Sequence, residues 1–152
     1  MRHLMMKVAL VLVLLPGAAS CSDGYSCEGA CECSGSECVC PSSGDCLIDC
    51  TGDCSLQCAG SGVCDFLCGA ECTASCTGSG SCLVEIGDDS TVRCPGSGGC
   101  DVVCNGDCTV ECPGAGDCIV QCDPDFQCMI NECSGSQQSC ADGTLVCNGA
   151  CP

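Results

Sequence analysis

The residues with chemical capacity in this chain are its cysteines, 27 among 152 residues, crowded into stretches such as CDVVCNGDCTVECPGAGDCIVQC over 100–122. Cysteines at that density hold soft metals as thiolates, exchange electrons, or staple the chain as disulfides. Other catalytic equipment is thin. His3 is the one imidazole and Lys7 the one side-chain amine, and both sit at the extreme N-terminus. Beyond them no imidazole or amine is present for general-base work and no His for a catalytic zinc set, and carboxylates such as Asp88 and Asp89 in so acidic a chain mark a solvated turn, so neither enzyme activity nor a cofactor is expected. With no Trp and only Tyr25, Phe66 and Phe126 as aromatics, a stacking platform for sugars is missing too.

Two metal-binding readings compete with stapling. The C-x-C pairs Cys31-Glu32-Cys33 and Cys38-Val39-Cys40 suit soft metals in the manner of metallothioneins, which requires reduced thiols. A recurring acid column, Asp53, Glu71, Asp89 and Asp107, is the candidate for a weak divalent cation such as Ca²⁺. No regular second oxygen column stands beside it, so a solvated acidic edge screened by salt accounts for these residues without an ion.

Which chemistry applies depends on the compartment. The chain opens with Arg2 and Lys7, an apolar run from Val8 to Leu15, and the small residues Gly17-Ala18-Ala19-Ser20, the pattern of a secretory signal over residues 1–20. The apolar run is far short of the ~20 residues that span a bilayer. Ala18-Ala19-Ser20-Cys21 resembles the lipobox of bacterial lipoproteins, which implies that Cys21 carries the lipid and anchors the mature chain to a membrane. Cleavage beside Ala19 or Ser20 would instead secrete the chain. Either route exports it to a space where disulfides persist. Removing the signal also leaves Arg93 as the one base against 20 acids, a net charge of −19. Nucleic acid is excluded as a partner, because phosphate binding needs a basic footprint.

The elements that must position these cysteines follow from an 18-residue period. Cys40, Cys58, Cys76, Cys94 and Cys112 form one column, and Cys46, Cys64, Cys82, Cys100 and Cys118 a second. Cys50, Cys68, Cys104 and Cys122 form a third, and Cys54, Cys72 and Cys108 a fourth. Within each C-x-h-x-C segment, where h is mostly apolar, both cysteines and the central residue share one face of a short strand. The central residues are Ile48, Leu56, Phe66, Ala74, Val84, Val92, Val102, Val110 and Val120. β-Branched centres and frequent Gly disfavour helix. The expected fold is all-β: a disulfide-stapled parallel β-solenoid of 18-residue coils, two short strands each, over 40–122. Residues 21–39 and 123–152 are expected to cap its open edges. Gly44, Gly62, Gly80, Gly98 and Gly116 repeat in the longer turn, where positive φ is expected.

One coil breaks the pattern in a way that bears on pairing. Ile86 and Ser90 replace both cysteines that flank its short turn. Pairing up and down the stack would strand their neighbours, whereas pairing across the turn makes the loss self-contained. The expected disulfides therefore join Cys50 to Cys54, Cys68 to Cys72 and Cys104 to Cys108. Across the longer turns they join Cys40 to Cys46, Cys58 to Cys64, Cys76 to Cys82, Cys94 to Cys100 and Cys112 to Cys118. Each such loop of about five residues is worth ~2 kcal/mol by chain entropy. The outward ranks Ser55, Thr73, Thr91, Thr109 and Gln57, Ser75, Arg93, Glu111 are too mixed for an ice-binding face. The functional expectation is an exported, lipid-anchored structural or surface-interaction protein of the cell envelope, with cation binding as the alternative.

Overall fold

Alternation of inward and outward side chains sets the strands, and the 18-residue period stacks them. The computed structural model describes residues 25–29, 31–41 and 43–152; the signal segment and Cys21 lie outside the described residues. One sheet stacks β4 (Cys46–Gly52), β6 (Cys64–Ala70), β8 (Cys82–Ile86), β10 (Cys100–Cys104) and β12 (Cys118–Cys122) in parallel. We call it the first sheet. The second stacks β3 (Glu37–Cys40), β5 (Ser55–Cys58), β7 (Thr73–Cys76), β9 (Ser90–Arg93), β11 (Cys108–Cys112) and β13 (Cys128–Cys133), also in parallel. The chain alternates between the sheets, so the architecture is a β-solenoid of about five turns, and no helix occurs among the described residues.

The core is two facing single files. Ile48, Phe66, Val84, Val102 and Val120 stand in register in the first sheet, and Leu56, Ala74, Val92, Val110 and Ile130 in the second. All ten are buried, and buried cysteines flank them. One apolar side chain per strand is a thin core, which is why a single coil cannot stand alone and why stapling matters.

Both ends of the first sheet are covered by antiparallel strands. β1 (Tyr25–Gly29) lies on β4, while β15 (Leu145–Cys147) lies on β12 with β14 (Gln137–Ser139) beyond it. At the N-terminal end of the second sheet β2 (Glu32–Ser34) forms a hairpin with β3. The parallel stack thus reaches from Glu37 to Cys133, a half-coil further at its C-terminal end than the 40–122 stretch of regular period. The last half-coil hides from an 18-residue template for two reasons. Its turn is two residues longer, pairing Cys108 with Cys128, and a bulge between Val110 and Glu111 of the partner register then pairs Glu111 with Glu132.

The turn glycines correct one expectation. Among the described residues the glycines with positive φ are Gly29, Gly35, Gly52 and Gly143, so Gly44, Gly62, Gly80, Gly98 and Gly116 are not placed in the turn by backbone dihedrals. Close approach holds them: a Cβ on Gly98 would run into the carbonyl oxygen of Gly80, and one on Gly116 into that of Gly98. Coils ~4.8 Å apart leave no room for a side chain pointing along the stack.

Candidate functional site

The sulfur atoms occupy the two margins of the core. The structure joins Cys40 to Cys46, Cys58 to Cys64, Cys76 to Cys82, Cys94 to Cys100 and Cys112 to Cys118 across the longer turns. Cys50–Cys54, Cys68–Cys72 and Cys104–Cys108 close the shorter ones. Their Cα–Cα separations of 6.0 to 6.5 Å lie within the span a disulfide bridges. Period 2 on each strand aims both partners inward, and the tight turn brings them together. The C-x-C pairs are dispersed, with Cys31 joined to Cys27, Cys33 to Cys38 and Cys40 to Cys46. The C-terminal segment adds Cys122–Cys128, Cys133–Cys147 and Cys140–Cys151, pairings that fall outside the regular period.

Neighbouring disulfides approach closely enough to form sulfur clusters. Cys40, Cys46 and Cys64 lie within 4.8 Å of one another, as do Cys50, Cys54 and Cys68; Cys76, Cys94 and Cys100; and Cys104, Cys108 and Cys128. Each set is one disulfide plus a single sulfur of a neighbouring coil, so it offers thiolates to a soft metal only after reduction.

In the coil without that staple, Ile86 is wholly buried in register with Cys68 and Cys104. Ser90, also buried, accepts the Cys72 N–H at 3.0 Å and donates to the Asp88 carbonyl at 3.2 Å. An apolar plug and a hydroxyl clasp therefore stand where the other coils have sulfur.

The acid column divides in two. Asp53, Glu71 and Asp89 sit in the left-handed region with φ of 57°, 59° and 53°, whereas Asp107 does not. Asp tolerates that conformation and Glu seldom adopts it. Asp107 instead uses its backbone N–H on Asp88 Oδ1, at 2.9 Å, and its own Oδ1 on the Gln127 N–H, at 2.7 Å. Asp45 accepts the Val63 N–H one coil on at 2.8 Å. Asp45 and Asp88 are acceptors that column counting overlooked; only the packing of the next turn reveals them. Near the C-terminus the Thr144 N–H and hydroxyl hold the exposed Asp142 carboxyl below the usual Asp range.

On the second sheet's outer face Arg93 contacts Glu111 at 3.0 Å, and both side chains are partly exposed. An exposed pair of this kind contributes about 0 to 1 kcal/mol.

Fold and sulfur arrangement together define the class: a disulfide-stapled parallel β-solenoid. No protein-family model, curated protein or solved structure matches the chain.

Proposed function

We propose that this is an exported structural or surface-interaction protein of the cell envelope, anchored by a lipid on Cys21 and hardened by its disulfides. The observation that carries this reading is the rank of disulfides closing nearly every turn, which suits an oxidising space outside the cytosol. The thirteen disulfides use every described cysteine, so Cys21 has no described cysteine left to pair with. That supports the acyl role implied by the lipobox resemblance. The reading assigns no catalysis. Two acyl chains hold a protein stably at a membrane, so Cys21→Ala should move it from the membrane fraction to the soluble one. Equal partitioning of wild type and variant would remove the anchor from the proposal and leave secretion.

The alternative is a soft-metal module, favoured by the four sulfur clusters among the described residues. It requires a reduced protein that takes up metal in stoichiometric amounts. Intact mass under non-reducing conditions separates the two readings, since disulfides and a lipid each leave their own mass.

A further inference from the structure

The outer face of the first sheet carries a pattern with twice the period of the coil. One outward column reads Glu28, Leu47, Asp65, Leu83, Asp101, Ile119 in register, alternating acid and aliphatic. The column beside it reads Ser26, Asp49, Leu67, Glu85, Val103, Gln121, with the alternation in antiphase. The result is a checkerboard: Leu47, Leu67, Leu83 and Val103 each have polar neighbours above, below and beside them, while Ile119, at the end of its column, meets Val146 of β15. Carboxylates recur every second strand, ~9.6 Å apart along a column. Leu47, Leu67, Leu83 and Val103 are 37% to 41% exposed.

Charge repulsion explains only half of this. Stacking Asp on Asp at ~4.8 Å is costly, and any neutral residue in alternate coils would relieve it. Thr would serve better than Leu, having the higher strand propensity and no cost in exposed apolar area. The same molecule takes that course on its second sheet, whose outward rank is Ser55, Thr73, Thr91, Thr109. Leucine on the first sheet therefore calls for a reason other than charge spacing.

We propose that this face is a docking surface for an extended cationic polypeptide whose basic and aliphatic side chains alternate along one of its faces, at every second residue, laid across the strands so that amines meet the carboxylates and aliphatic groups meet Leu47, Leu67, Leu83 and Val103. It rests on the surface-interaction reading above. Charge complementarity selects the partner: the face bears no base, and Arg93 lies on the opposite sheet. A second copy is disfavoured, since acids would oppose acids, and an anionic lipid surface is repelled for the same reason.

The test measures binding of a fluorescent, end-blocked peptide of repeating Lys-Ser-Val-Ser, whose lysines and valines alternate along one face when extended, to the full mature protein, with an oligolysine of equal charge as comparison. Wild type should prefer the alternating peptide. Leu67→Thr with Leu83→Thr should weaken it about tenfold, the scale of covering the exposed two-fifths of two leucines, without changing net charge. Thr91→Ser with Thr109→Ser on the other sheet should leave it unaltered. Asp65→Asn with Asp101→Asn should weaken both peptides and flatten the salt dependence, giving a second handle should the leucine variant fail to oxidise fully. Equal affinity for oligolysine, indifference to the leucine changes, or no binding of the alternating peptide at all would overturn the proposal. Membrane fractionation of Cys21→Ala is independent of this face, so the two readings fail separately.

Discussion

Installing the staple that one coil lacks, Ile86→Cys with Ser90→Cys, puts the packing argument at risk. Loop entropy alone promises ~2 kcal/mol for a five-residue loop. The structure takes that gain away. Ile86 is fully buried, and trimming it to Cys falls between the ~1 kcal/mol of Ile→Val and the ~2 to 5 kcal/mol of Ile→Ala. Removing the Ser90 hydroxyl leaves the Cys72 N–H, now bonded at 3.0 Å, without its acceptor, at about 1 to 3 kcal/mol. The losses match or exceed the gain, so the variant should carry one more disulfide and yet be no more stable than wild type. Denaturant unfolding without reductant gives the midpoint, and non-reducing mass counts the bond. Either single change should leave one thiol that reacts with an alkylating agent. A double variant more stable by the full ~2 kcal/mol would show that Ile86 and Ser90 contribute nothing. New cysteines linked to Cys68, Cys72, Cys104 or Cys108 would refute pairing across the turn.

Gly98→Ala should destabilise by about 2 to 3 kcal/mol, because its Cβ meets the Gly80 carbonyl oxygen of the coil beneath. Gly99→Ala, one residue on with open space at its Cβ, should stay within about 0.5 kcal/mol; equal effects in unfolding would show that coil spacing does not restrict this turn. Millimolar Ca²⁺ should raise the thermal midpoint by only a few degrees, since the Asp107 carboxylate is engaged by the Gln127 N–H and stabilisation scales with ligand concentration over its dissociation constant. Micromolar binding by calorimetry would promote the acid column to a site.

How much could be read from residue order varies with the physics behind each feature. The solenoid class was readable because strand alternation and stacking register impose periods on every coil, as in Ile48, Phe66 and Val84. The half-coil ending at Cys133 was not, because a longer turn and a bulge remove its period while keeping its hydrogen-bonded stack. The glycine column was visible but its cause was misread, since the obstacle to Gly98 is a backbone atom eighteen residues away. Ser90 looked like a missing cysteine, and its hydrogen bonds emerge only from the packed turn. The checkerboard is present in the spacing of Leu47, Leu83 and Ile119, two coils apart, which an 18-residue period averages away.

Cysteines paired within coils make this thin solenoid durable, and partial reduction and alkylation of the mature protein, followed by peptide mapping, reads that pairing out. Peptides linking Cys104 to Cys108 and Cys112 to Cys118 are expected, at the short separations of four and six residues seen here. Links between cysteines eighteen residues apart, such as Cys94 with Cys112 or Cys100 with Cys118, or a fully reduced protein carrying stoichiometric zinc, would contradict it.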